Sequence, residues 1–142
     1  MRNAAKLVAG IAAVFHLGVG LWAFASPLSF FTNVGPFPPY NEHFLHDVGA
    51  FNLGLGAAAV AGILFTDSLV AVLTALAVAA VMHEIAHITD RMLGGHSSDP
   101  YTLGGFAVIV LVGLLAAARS VDRRRSGPHD RQPRRSTPEY RS

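Results

Sequence analysis

Apolar residues gather into four long runs, at about 4–25, 43–65, 68–91 and 101–118, separated by short polar or proline-bearing breaks. Each run is close to the roughly 20 residues with which a helix crosses a hydrocarbon core about 30 Å thick. None alternates with the period of two expected of a barrel strand. An isolated strand would also leave its backbone groups unpaired in lipid. The pattern predicts an all-α, integral membrane four-helix bundle over residues 1–118.

The breaks support these limits. Ser26-Pro27 ends the first run, and Pro36, Pro38 and Pro39 keep the stretch that follows out of regular helix. Thr66-Asp67-Ser68 is a tight connection, with Asp67 or Ser68 suited to capping the third helix. Gly94-Gly95 ends that helix, and Ser97-Ser98-Asp99-Pro100 opens the fourth. From residue 119 the chain is rich in Arg, Ser and Pro, which predicts a disordered tail over 119–142.

Charge sharpens the picture. Only 14% of the 142 residues are Asp, Glu, Lys or Arg, against roughly 25% in an ordinary soluble domain. Of the 11 basic residues, Arg2 and Lys6 stand at the start and eight arginines lie between Arg119 and Arg141. Arg91 is the sole basic residue between Leu7 and Ala118. A soluble fold cannot cover itself with so few cations, so that class is excluded. The basic balance belongs to the tail, where arginines set topology or meet anionic lipid, and does not point to nucleic acid. With no cysteine, disulfides, thiolate zinc sites and cysteine nucleophiles are excluded together.

The same asymmetry orients the chain. Arg2 and Lys6 place the N-terminus in the cytoplasm and the arginine tail places the C-terminus there, as an even number of spans requires. The segments around Pro27–Glu42 and Gly94–Pro100 then face outward. Arg2, Lys6 and Ala23-Phe24-Ala25 also fit a signal peptide with an A-x-A cleavage site, whose removal would leave three spans.

Polar residues inside the spanning region are concentrated. Of its six acids, all but Asp67 fall at outward helix ends or in outer loops, as do His43, His46, His83, His87 and His96. His83, His87 and Asp90 are spaced i, i+4, i+7 on one face of the third helix. His43 and Asp47 are one turn apart on the second, on a stripe continuing through Ala50, Gly54 and Ala61. Small residues at that spacing mark close helix approach, so Asp47 is expected to point into the bundle. Counted at 1.5 Å per residue, His83 lies about 21 Å and His87 about 27 Å above Leu69, and Asp47 about 27 Å above Phe65. His16 lies deeper, on a stripe of Ala9, Ala13, Gly20 and Ala23. Asn52, nearly opposite His43 on the helical wheel, reads as an interhelical hydrogen-bonding residue.

Imidazole with carboxylate suits Zn, Fe, Mn or Cu(II), and bundle cores build metal sites from such groups on facing helices. The metal-ligand candidates are Asp47, His83, His87, Asp90, His43 and His46. Two other readings stand beside this one: a hydrogen-bonded polar network, and a proton, haem or quinone role using His16, the candidate cofactor-binding residue, with His83. His83-Glu84-Ile85-Ala86-His87 also spells the H-E-x-x-H of zinc proteases, with Glu84 as candidate base. Asp90 and Leu93, however, occupy the Gly and third-His positions of its extended form. His96 is either an outer ligand or lid, folded back by the glycines, or a solvated loop residue.

Asp47-x-Gly49-x-Phe51 with Gly54-x-Gly56, then His83-x3-His87-x2-Asp90-x3-Gly94-Gly95-His96-x2-Asp99-Pro100, resembles a group of small bacterial membrane proteins. These are similar in size and four-helix layout to the DoxX-like proteins. The resemblance implies a multi-pass protein of the bacterial cytoplasmic (inner) membrane and supplies no reaction. The leading expectation is a metal-binding membrane protein with its site at the outward ends of the second and third helices. The alternative is an accessory subunit whose small-residue stripes meet a membrane-protein partner or a second copy.

Overall fold

The computed structural model describes residues 2–125, which form five α-helices and no strand. They are α1 (Arg2–Ala25), a short α2 (Pro27–Asn33), α3 (Glu42–Leu64), α4 (Leu69–Thr89) and α5 (Asp99–Arg125), with a single 3-10 turn, Thr66–Ser68, between α3 and α4. Among the described residues, four helices are long and apolar enough to cross a membrane: α1, α3, α4 with its preceding turn, and α5.

Local chemistry explains the boundaries, including some the sequence pattern missed. Pro27 starts α2 at a position where its missing N–H costs nothing. Pro36, Pro38 and Pro39 then keep residues 34–41 out of helix. Asn41 caps α3, its Oδ1 accepting from the Phe44 amide at 3.1 Å. The expected cap on α4 is not made: the Ser68 hydroxyl donates instead to the Phe65 carbonyl at 2.7 Å and tightens the turn. The tail prediction is corrected over 119–125, which continue α5 as helix. Alanine and arginine favour helix whatever the hydropathy does, and Ala117 is buried at that point. The rest of the predicted tail, from residue 126, lies outside the described residues.

The helices run alternately up and down. Gly20 of α1 lies against Gly49 and Leu53 of α3, while Leu17 lies against Gly56, so α1 and α3 are antiparallel. Gly113 of α5 faces Val8, whereas Phe106 stacks on Phe15, giving the same relation between α5 and α1. α1 therefore sits between α3 and α5, and α4 closes the ring against both. The α1–α3, α3–α4 and α4–α5 connections alternate between the two ends. The end carrying residues 26–41 and 90–98 is called the site end below.

The interior is made of small side chains and the exterior of large apolar ones. Ala5, Ala9, Ala12, Ala59, Ala77 and Ala117 are buried around Leu73, Leu76 and Val110. Leu7, Val14, Leu21, Phe51, Leu64 and Val78 face outward. A soluble bundle does the reverse, because water rewards burying the largest apolar groups. Small residues inside let backbones approach in a medium already apolar. So extensive an apolar exterior calls for lipid around it.

A candidate ligand cavity at the site end

Toward the site end the close packing opens. A cavity of about 520 Å³ lies there, roofed by Phe30, Phe31, Val34 and Phe37 of α2 and the following loop. Phe15 and Val19 of α1 and Phe44, Leu45 and Val48 of α3 supply further apolar wall. α4 and α5 supply the polar side with His83, His87, Asp90 and Asp99. Among the described residues, no Lys or Arg lines it. A second cavity of about 90 Å³ lies deeper, bounded by His16, Ala79, Ala80 and Phe106, and shares Phe15, Asn52, His83 and Leu103 with the first.

The histidines reach the cavity because they continue the buried stripe of α4. Leu73, Leu76 and Ala80 are buried, and His83 and His87 follow at the next positions of the same helical face. The rings are 4.8 Å apart with Nε2 atoms at 3.0 Å. Nδ1 of His87 lies 3.3 Å from Oδ2 of Asp99, both side chains being 15% exposed. Asp99 is itself held in place, since its Oδ2 accepts the His96 backbone N–H at 2.8 Å. The result is a chain from Asp99 to His87 to His83. A carboxylate facing Nδ1 favours a proton on that nitrogen, which leaves Nε2 of His87 as the acceptor for His83.

Two loops clasp over this chain. The Gly95 amide donates to the Pro36 carbonyl at 3.2 Å, and the Phe37 ring stands edge-on to His87 with centroids 5.3 Å apart. The clasp requires both glycines. A Cβ on Gly94 would collide with the Pro36 carbonyl. Gly95, at φ +80°, would place one 2.8 Å from Oδ2 of Asp99 and 2.9 Å from the Phe37 ring. His96 is exposed, and its backbone N–H is what meets Asp99.

His16 is 5% exposed. Its Nδ1 is 2.8 Å from Oδ1 of Asn52, whose amide nitrogen donates to the Val48 carbonyl at 2.8 Å. With the Asn52 amide so oriented, Nδ1 of His16 must donate, and the buried Nε2 has no partner. Phe15 and Phe106 stand edge-on to the ring. The interhelical role expected of Asn52 is the one it has. The 90 Å³ between His16 and His83 has room for a few waters and is far smaller than a porphyrin.

The remaining sequence candidates lie elsewhere. His43 and Asp47 are 3.7 Å apart but 86% and 55% exposed, and neither lines either of these two cavities. The expectation that Asp47 points into the bundle is corrected: Asp47, Ala50 and Gly54 face outward, and a Cβ on Gly54 would meet nothing within 4 Å. The buried stripe of α3 is Leu45, Gly49, Gly56, Ala59 and Gly62. Gly49 and Gly56 fit it because α1 comes so near that a Cβ at Gly49 would be 2.8 Å from the Phe24 Cβ, and one at Gly56 2.6 Å from the Leu17 Cγ. His46 lies against the Phe24 ring, centroids 5.1 Å apart. Glu84 turns to α5, its Oε1 3.4 Å from where a Gly104 Cβ would stand, and lines neither of these cavities. Its Oε2 is buried without a partner. The base of an H-E-x-x-H site is thus not assembled with the histidines. Among the described residues no three His, Asp or Glu side chains are grouped closely enough to hold an ion.

The sequence pattern did not single out Asp99 and Phe37 as site residues. Asp99 was within reach of sequence reasoning: it opens α5, which runs antiparallel to α4, and so lies at the same end of the bundle as the last turn of α4. Phe37 was not, since nothing local shows which ring a loop lays over an imidazole. The chain matches no protein-family profile, no curated protein and no solved structure. None of these comparisons bears on the resemblance to DoxX-like proteins.

Proposed function

We propose that this chain is a four-span protein of the bacterial cytoplasmic membrane, with both termini in the cytoplasm, that binds a small, largely apolar molecule in the 520 Å³ cavity. The polar end of that molecule is directed to the Asp99–His87–His83 chain. One observation carries the reading: a Phe-rich cavity with a few convergent polar groups on one side. Ligand sites have this composition, in cavities of about 300–1,000 Å³. The arginine distribution supports the orientation, which puts the cavity on the outer side. His83 and His87 then act as hydrogen-bonding and proton-exchanging groups toward the ligand.

The test is photolabelling of the full chain in nanodiscs with a long-chain alcohol bearing a diazirine. Adducts are expected on cavity residues such as Phe37 and Leu103, and Leu103→Trp, which fills the space, is expected to remove them. Labelling confined to lipid-facing positions such as Leu7 and Phe51 would refute the reading.

A second reading has its own observation. The outward stripe of Ala50, Gly54 and Ala57 gives α3 a smooth exposed face, of the kind on which membrane helices associate. It fits a second copy or a membrane-protein partner. Loss of a crosslinked dimer in Gly54→Leu would support it, and a monomer in both proteins would remove self-association.

A further inference from the structure

We infer that His83 and His87 bind one divalent transition-metal ion through their Nε2 atoms, with Asp99 orienting His87 from the far side of its ring. The site goes beyond the ligand reading and does not depend on it, because the ion needs no apolar occupant of the cavity.

The geometry of the pair is the first support. Two nitrogens bound to one ion at 2.0–2.1 Å are about 2.9 Å apart at a right angle and about 3.4 Å apart at the tetrahedral angle. The two Nε2 atoms stand 3.0 Å apart, inside that interval and near its right-angled end. The pair shares one face of an unbroken helix at i, i+4, so binding requires the His83 proton to pass from Nε2 to Nδ1, by way of solvent, which leaves both imidazoles neutral with their Nε2 lone pairs free.

The second support is the carboxylate behind the pair. Asp99 lies 3.3 Å from Nδ1 of His87 and is fixed by the His96 amide. A carboxylate there holds the proton on Nδ1 and turns the Nε2 lone pair outward, the arrangement that metal-binding histidines use. The third is charge. Two neutral imidazoles leave an ion's two charges uncompensated, and the same cavity is lined by Asp90 and Asp99 with no Lys or Arg among the described residues.

The ligand set is therefore smaller than the sequence spacing suggested. His43, His46 and Asp47 stand on the other side of α3 from the cavity, Glu84 faces Gly104, and Asp99 sits behind His87. With two protein ligands, the remaining coordination positions face the cavity and go to water or to its occupant. Imidazole donors favour Cu(II), Ni(II) and Zn over Mg or Ca, and the near-right-angle separation favours the tetragonal ions among them.

The experiment is titration of the chelator-treated full chain, purified in detergent, with Cu(II) and in parallel with Zn(II). Bound metal is counted by elemental analysis, and the nitrogens on copper are read by electron paramagnetic resonance. One ion per chain is expected, with two imidazole nitrogens on copper. His83→Ala and His87→Ala should each lose that ion while keeping the helical circular dichroism of the wild type. Asp99→Asn should weaken binding by about 10- to 100-fold, and the double variant His43→Ala with Asp47→Asn should leave it unchanged. Leu103→Trp is expected to keep the ion while excluding the photolabel, so the two proposals fail separately. Three results would overturn the metal site: no stoichiometric ion in the wild type, an ion that survives loss of either histidine, or copper without two imidazole nitrogens. The wild-type nitrogen count decides even where a variant does not fold.

Discussion

α3 and α4 carry the same device at the same end of the bundle, two polar side chains four residues apart, and use it in opposite ways. His43 and Asp47 stand in the open, 3.7 Å apart. His83 and His87 border an apolar cavity, and His87 faces a fixed carboxylate. Spacing places each pair on one face; it does not say where that face looks. On α4 the pair prolongs the buried stripe Leu73-Leu76-Ala80. On α3 the pair lies off the stripe that Gly49 and Gly56 press against α1. Backbone approach decides which groups become a site.

The strongest way to break this comparison is to turn α3. In Gly49→Leu the new side chain would begin 2.8 Å from the Phe24 Cβ and backbone nitrogen. Overpacking of this kind is expected to cost about 3 kcal/mol or more. Gly54→Leu adds the same side chain where nothing lies within 4 Å, with an expected change in bundle stability within about 0.5 kcal/mol. Thermal unfolding in detergent, followed by circular dichroism, measures both. If Gly54→Leu were the more damaging, α3 would be rotated and Asp47 would be the inner carboxylate.

Gly95→Ala tests the clasp that gives the α4 pair its surroundings. The left-handed backbone costs a non-glycine residue about 1–2 kcal/mol, and the added methyl would press on Asp99 and Phe37. Faster amide exchange confined to residues 90–98 is expected, with weaker metal binding, since Asp99 loses its position. Unchanged exchange would mean that the loops do not hold the site. A smaller effect is expected of Asn52→Leu, which removes the hydrogen bond between His16 and Asn52. Interhelical hydrogen bonds in membranes are worth about 0.6 to 1.7 kcal/mol, so the melting temperature should fall less than for Gly49→Leu.

Hydropathy carried the layout of the spans because a lipid-facing exterior must be apolar over a fixed length, and Ser26-Pro27 and Gly94-Gly95 punctuate it sharply. The α4 histidines were legible for a related reason, since their spacing matches the period of the element they sit on. The orientation of α3 was not. Both of its stripes carry small residues, and Gly54 and Gly56 look alike until α1 is seen lying along one of them. α2 and Phe37 were equally hidden, because a loop's path depends on what it covers. Asp99 lay between these cases: its place followed from topology, and its role from a single contact.

The smallest expected effect bears most directly on the two pairs. Asp47→Asn removes the charge from a carboxylate that is 55% exposed and meets one exposed histidine. Pairs of this sort contribute within about 1 kcal/mol, often nothing measurable, so neither the unfolding temperature nor the bound metal should change. Asp99→Asn is the same chemical change in a side chain 15% exposed, facing His87 and the His96 amide. There the carboxamide can present its NH2 to Nδ1 and reverse the preferred tautomer, which puts the proton on Nε2, where the ion would bind. A metal titration that separates the two variants assigns the carboxylate of the site to Asp99 at the start of α5. Equal losses would return Asp47 to it.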